Sequence, residues 1–312
     1  MAVGNAVQRG PLSGSDSLNV RCPGKVNLHL EVLGRRPDGY HELRTMFAAV
    51  GVWDELTFAM APTGVLELSV EPPGVVPTGE ENLVIRAARA LAAGSGPVRG
   101  ARVHLTKGIP IAGGMGGGSS DAAAALTGLS TLWDLELDIT TLLELGSGLG
   151  ADVPFFLIGG AAWGTGRGTE LVPLPDLPPW WVVLLPGEEA VSTAAVYRAL
   201  RAGPVDDRPQ SEVYQWIERG GEVPFHACRN DLETTVLAQW PGIARRLAAI
   251  RGTQPLLARL SGSGGTVFGL YCDRTAAERA SAALASHAPV IAPLLTREAS
   301  RVRPSGEETR WK

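Results

Sequence analysis

Hydrophobic and polar positions alternate from the start of the chain. Leu18, Val20 and Cys22, then Leu28, Leu30 and Val32, predict strands on either side of a break at Pro23-Gly24-Lys25. Residues 35–39 carry Pro37, Asp38 and Gly39 and predict a turn, and residues 52–60 and 65–70 predict further strands parted by Pro62 and Gly64. The period becomes helical over 82–93, with Gly94 as its stop. Alternation returns over 101–106 and runs into a loop at 108–120, a helix at 121–133 and a short helix at 140–145 closed by Gly146. Residues 172–179 hold four prolines and read as a linker, dividing the chain into domains at 18–171 and 172–299. The second contains a strand at 181–185, helices at 193–202, 212–219, 231–239 and 243–250, and a strand-loop-strand unit at 256–271. A helix from Ala276 follows, with Thr275 and Glu278 at capping-box spacing, then a strand at 290–295. Residues 1–17 read as a polar leader and 300–312 as a loose tail. Strands and helices mix without strict alternation, which predicts the α+β class.

Composition narrows the function classes. At 45% hydrophobic and 19% charged, the chain fits neither a disordered segment nor a highly charged coiled coil, and 312 residues suffice for two domains. A net charge of −4 argues against the broad cationic footprint of a nucleic-acid binder. No run approaches the roughly 20 apolar residues of a membrane span, and the opening lacks the apolar core of a signal peptide. Cys22, Cys228 and Cys272 are odd in number and never paired as CxxC, which fits a reducing cytoplasm and offers no metal cluster. Of 28 basic residues only Lys25, Lys107 and Lys312 are lysine, so lysine is expected mainly where a compact ammonium does what a planar guanidinium cannot. Chance survival at exposed positions is the competing explanation.

The clearest chemical signal is Pro110-Ile111-Ala112-Gly113-Gly114-Met115-Gly116-Gly117-Gly118-Ser119-Ser120, with five glycines in six residues ahead of a helix. Glycines let backbone N–H groups approach an anion, and a helix start adds free donors and a positive dipole end. The spacing is neither that of a Walker A loop nor that of GxGxxG. A second glycine-rich element, Ser261-Gly262-Ser263-Gly264-Gly265-Thr266, lies between two strands; alone it is a tight turn, and with the first it suggests one nucleotide site. The cluster at Gly164 to Gly168 reads as a turn in the sheet. Asp152 stands between glycines and the apolar run Val153-Pro154-Phe155-Phe156, off any solvated face, so its carboxylate calls for a dedicated partner. For phosphoryl transfer to an alcohol it would accept the hydroxyl proton, while lysine keeps it ionised and neutralises developing charge. A capping Asp is the commoner reading of an isolated one. Tyr40 and His41 follow a turn and bring together two scarce residue types, suited to stacking on a planar group, although such a pair is usually ordinary packing. His29 reads as structural.

PGKVNL at Lys25, DGYHEL, PIAGGMGGGSSDAA, GLGADVPFFL, NDLE at Asn230 to Glu233 and LSGSGGTVF, in this order, resemble the galactokinase, homoserine kinase, mevalonate kinase and phosphomevalonate kinase (GHMP) superfamily. DGYHEL and GADVPFFL point within it to the kinases that act on 4-diphosphocytidyl-2-C-methyl-D-erythritol. The resemblance implies ATP-dependent phosphorylation of the 2-hydroxyl of that acceptor in the non-mevalonate route to isoprenoids. It implies a two-domain fold: a ribosomal-protein-S5-like nucleotide-binding domain with a left-handed βαβ crossover, against the usual rule, then a ferredoxin-like domain. By resemblance, Asp152 and Lys25 are catalytic. The loop from Pro110 to Ser120, with Lys107, holds ATP. Asn27 lies near the reacting hydroxyl, Tyr40, His41 and Tyr197 hold the cytosine, Thr193 makes a polar contact, and Ser261, Gly262, Ser263 and Gly264 close over the transfer site. Mg²⁺ is expected to travel with ATP and not in a protein cage. The expected partners are the small-molecule acceptor and ATP, without nucleic acid or membrane, in a monomer or weak homodimer. Two departures stand out: Met115 where Leu is usual, a volume-conserving change, and Gly265 where Pro or Ala is commoner, which is expected to loosen the loop. A GHMP kinase of another alcohol keeps the loops but leaves the aromatic set unexplained. A silent nucleotide sensor is opposed by the presence of both Lys25 and Asp152, and a nicotinamide oxidoreductase by the lack of its fingerprint.

Overall fold

β1 (Leu18–Arg35) and β2 (His41–Ala61) form a long antiparallel hairpin around the turn expected at 35–39. The computed structural model describes residues 17–93, 99–187, 189, 191–200, 202–205 and 211–304, so the expected leader before Ser17, the helix stop at Gly94 and the end of the chain from 305 lie outside it. The break predicted at Pro23-Gly24 is a register shift inside one continuous strand: Pro23 faces Trp53, but Gly24 faces Val50. A bulge accommodates proline, which has no N–H for the ladder, without ending the strand. β2 then forks. Its far end, from Glu55, pairs with β4 (Gly100–Thr106), and its near end, Thr45 to Ala48, pairs with β5 (Ala161–Thr165). β3 (Leu66–Glu71) runs parallel to β4 by way of α1 (Leu83–Ala93), and β6 (Glu170–Pro173) pairs with β5.

Four helices cover this sheet: α1, α2 (Gly117–Leu132), α3 (Ile139–Leu149) and α4 (Val153–Ile158). Phe58, Leu105, Leu129, Trp133, Phe155 and Phe156 are buried in the first core. α2 starts four residues before the expected Asp121, so Gly117, Gly118, Ser119 and Ser120 form its first turn, and Gly116 at the N-cap adopts φ 72°, which suits glycine. α3 continues through Gly146 because a side chain there would press on Val153 and Leu157 of α4, so the glycine serves packing and not termination. α4, absent from the sequence reading, has a proline in its first turn, where no N–H is needed.

The second sheet runs β10 (Val290–Pro293), β7 (Trp181–Leu185), β9 (Val267–Tyr271), β8 (Leu257–Leu260), with every pair antiparallel. This is the order of a split βαβ sandwich, the ferredoxin-like pattern. α5 (Thr193–Ala199), α7 (Glu233–Gln239), α8 (Pro241–Gly252) and α9 (Arg274–Ala283) contribute to its core, while α6 (Glu212–Arg219) packs nearer the junction with the first sheet. α9 begins at Arg274, and Asp273 accepts from Ala276 N at 2.8 Å; the box expected at Thr275 is therefore replaced by an aspartate cap two residues earlier. Leu30 N donates to Arg229 O and Asp231 N to Leu30 O, tying the halves along β1. The loose tail expected from Ser300 does not hold for 300–304. Ser300 ends α10 (Arg297–Ser300), is buried and accepts from Gly160 N; Val302 enters the first core and Pro304 bridges to Val20. No helix among the described residues is long and apolar enough to cross a membrane.

Candidate active site

The two glycine-rich loops meet backbone to backbone. Gly265 N donates to Ala112 O at 3.4 Å, Thr266 N to Gly113 O at 3.2 Å, and Ser261 Oγ to Gly114 O at 2.9 Å. A Cβ on Gly114 would overlap Ser261 O, and one on Gly264 would overlap the Gly113 and Gly114 backbone, so the contact requires glycine on both sides. Gly265 was expected to loosen the second loop; it is tied on both faces, through its N–H to Ala112 and through its carbonyl to Arg246. Not every residue of the first loop can offer its side chain to a nucleotide. Met115 is buried, packs on Gly24 and accepts from Lys25 N through its carbonyl, and Ser120 is buried and donates to Pro23 O at 2.6 Å. Ser119 is the partly exposed hydroxyl of the pair, beside the exposed Gly118, while Ile111 stands out to solvent and Pro110 O accepts from Gly113 N.

A cavity of about 760 Å³ opens where the loops meet β1. Lys25, Asn27, Gly114, Gly116 and Asp152 line its inner end, with Gly262 and Ser263 across from them. Lys25 Nζ donates to Asn27 Oδ1 at 2.7 Å and Gly114 O at 2.8 Å and lies 3.6 Å from Asp152 Oδ2; the side chains are 5% and 32% exposed. Burial lowers the Lys25 pKa, against the opposing pull of Asp152. Asp152 occupies the N-cap position of α4 but makes no capping bond, so its carboxylate remains free to face the cavity. Asn27 in turn donates to Thr45 Oγ1, which donates to His29 O, fixing the amide that holds the ammonium. His29 is buried against Trp163, as its structural reading required.

The outer end holds Tyr40, His41, Thr193 and Tyr197. Tyr40 is 56% exposed, whereas His41 and Tyr197 already touch, with ring centroids 4.9 Å apart. A base inserted between them needs two contact distances of about 3.5 Å, so one ring has to move first. Burial, helped by the charge of Arg35, lowers the His41 pKa, and burial followed by the Asp152 charge raises that of Tyr197. Thr193 Oγ1 lies 2.7 Å from Ser263 Oγ, joining α5 to the second loop. Asn230 donates to Leu260 O and Gly262 O and holds that loop from behind.

Lys107, expected on the ATP side, lies beneath Gly117 in the first turn of α2. It does not line the cavity; it is buried, pairs with Asp54, and reaches Asp121 Oδ2 at 2.8 Å. Burial lowers its pKa, and the two carboxylates more than offset this, leaving it raised. Asp54 Oδ1 also accepts from Gly108 N and Ile109 N, while Asp121 Oδ1 accepts from the Cys22 thiol. Burial pushes Asp121 up to about 7, with Lys107 opposing. The cluster fixes the loop entrance and the first turn of α2 from beneath. Asp54 and the cavity residues Thr45, Phe47 and Arg167 were not singled out in the sequence, and Asp121 only as the residue that follows the glycine-rich loop; the one hint of Arg167 was its place in the glycine cluster at 164–168. Among the described residues, no cluster of three or more His, Cys, Asp or Glu side chains could hold a metal ion.

Comparison with known proteins shows the family. The GHMP kinases N terminal domain matches residues 82–160 and the GHMP kinases C terminal domain matches 227–290. A 4-diphosphocytidyl-2-C-methyl-D-erythritol kinase of Paramagnetospirillum magneticum is 41% identical over 89% of this chain and 98% of its own. That of Salinispora tropica is 40% identical over 88% and 90%. A crystal structure of 4-(cytidine 5'-diphospho)-2C-methyl-D-erythritol kinase superposes with a TM-score of 0.73 at 38% identity, covering 88% of this chain and 98% of that one. Homoserine kinase from Cytophaga hutchinsonii shares the fold, with a TM-score of 0.71 at 19% identity. The chain belongs to the 4-diphosphocytidyl-2-C-methyl-D-erythritol kinase family of GHMP kinases.

Proposed function

We infer that the protein transfers the γ-phosphoryl group of ATP to the 2-hydroxyl of 4-diphosphocytidyl-2-C-methyl-D-erythritol, giving the 2-phosphate and ADP, a step in the non-mevalonate route to isoprenoid precursors. The observation that carries this reading is the Lys25–Asp152 pair at the junction of both glycine loops, at the inner end of a cavity whose outer end is aromatic. In this scheme Asp152 accepts the hydroxyl proton. Lys25, held by Asn27 and Gly114, balances the charge of the transferring group. The triphosphate lies against the N–H groups of the first loop and the start of α2, where the helix dipole is positive. Mg²⁺ would come with ATP and supply charge neutralisation on the phosphates, and Ser119, the partly exposed hydroxyl in the first turn of α2, would be placed to meet it. Tyr40, His41 and Tyr197 take the cytosine. The cysteines are free, which supports a reducing compartment such as the cytoplasm.

The test is magnesium-dependent ADP release with this acceptor, beside mevalonate and homoserine and an Asp152→Ala control. Turnover with the cytidine-linked acceptor alone, lost in the control, is expected. Turnover only with another alcohol overturns the cytidine pocket, and none with any acceptor overturns the kinase reading.

A further inference from the structure

The charge on the cavity walls is opposite to that of the molecule. Four cations, Lys25, Arg35, Arg167 and Arg198, face one carboxylate, Asp152, in a chain of net charge −4. Lys25 is engaged with Asp152 at the inner end. The three arginines make no ion pair and no side-chain hydrogen bond among the described residues, while neighbours just outside are neutralised: Arg36 by Asp38 and Glu42, Arg229 by Glu31 and Asp231. Three guanidinium groups without an ion pair among the described residues make the wall of this one pocket cationic, which suits an anion.

Arg167 is the best placed of the three. It sits at the tip of the β5–β6 turn, which is fixed on the rim by two bonds: Gly166 N to Glu42 Oε1 at 3.1 Å and Leu43 N to Gly166 O at 2.7 Å. Its guanidinium lies over the Tyr40 ring, 4.7 Å from the centroid. A cation on an aromatic face is oriented without using its N–H donors, so the fork remains free for a bidentate anion. Asp38, the nearby carboxylate that feels its charge, is already occupied by Tyr40 N and Arg36.

We propose that Arg167, with Arg35 and Arg198, is a specificity-determining residue that binds the diphosphate joining base to sugar alcohol in the acceptor, so that the site selects a nucleoside-diphosphate-linked alcohol over a free one. This rests on the acceptor reading above. Its test compares binding of cytidine and cytidine 5'-diphosphate to the wild type, Arg167→Ala and Arg167→Lys at two salt concentrations, with thermal midpoints to confirm folding. Wild type is expected to prefer the diphosphate. Arg167→Ala weakens the diphosphate about tenfold with cytidine unchanged, flattens its salt dependence and raises the acceptor KM more than it lowers kcat; Arg167→Lys falls between. Equal losses for cytidine and diphosphate would make Arg167 a packing partner of Tyr40 and overturn the proposal, as would an unchanged diphosphate affinity in a variant of an enzyme that turns over the acceptor. A wild type that binds neither ligand would remove the acceptor reading itself, and this proposal with it.

Discussion

Lys25 and Lys107 flank the same glycine-rich loop, are both buried and both meet aspartate, yet they do opposite things. Lys25 has one carboxylate, Asp152, at 3.6 Å and partly open to the cavity, and its pKa is lowered; Lys107 has two buried ones, Asp54 and Asp121, and its pKa is raised. One partner at a distance leaves an ammonium under-satisfied and ready for added negative charge, whereas two in contact exhaust it. A scarce residue type marks both places, but the partner count separates chemistry from scaffolding.

The sharpest way to break the comparison is Lys25→Met. Turnover is expected to fall about 10²–10³-fold, as for loss of one preorganised charge donor, with little change in the urea midpoint. A variant that unfolds instead would make Lys25 structural as well. Asp54→Ala should do the reverse. It strands Lys107 and the Gly108 and Ile109 amides, so equilibrium unfolding in urea should show a loss of about 3–5 kcal/mol, with the acceptor KM of the folded fraction unchanged. Asp121→Asn is the mildest change, because the amide replaces a carboxyl that holds its proton up to about 7 and leaves Asp54 as the charged partner of Lys107. Because native Asp121 keeps its proton up to about 7 and the unfolded chain releases it near the ordinary value of 3.8, the native state binds more protons between those limits. Stability from this group is complete below that window and is lost as pH rises through it. Urea midpoints at about pH 5 and about pH 8 should therefore differ more for wild type than for Asp121→Asn; equal differences would show that Asp121 does not hold the proton.

What could be read from the sequence was local. The glycine runs, the alternation of β1 and the glycine and apolar flanks of Asp152 involve neighbours along the chain; with the chain-wide scarcity of lysine they singled out Lys25, Asp152 and both loops, while the roles came from the family resemblance. The bulge at Pro23 looked like a break because a proline ends most strands; only the register against Trp53 and Val50 reveals continuity. Gly146 looked like a stop because the side chains that need its space belong to the next helix. The partners of Lys107 lie 53 and 14 residues away; Asp121 follows the marked glycine run, but nothing along the chain ties it or Asp54 to Lys107. Arg167 was read as part of a sheet turn, which it is; its role at the cavity follows only from the turn docking on β2. Residues were missed wherever their neighbours come from elsewhere in the chain.

The joined glycine loops also bear on the order of events during synthesis. Ser261 and its acceptor Gly114 are 147 residues apart, and contacts this distant close late because the intervening chain must first be organised. A nascent chain that has emerged through α4 carries Lys25, Asp152 and the whole first loop, but not the strap that sets the shape of that loop. The first loop therefore gains its assembled shape only once residues 261–266 have been made, and a chain ending after α4 carries the residues of the site without their arrangement.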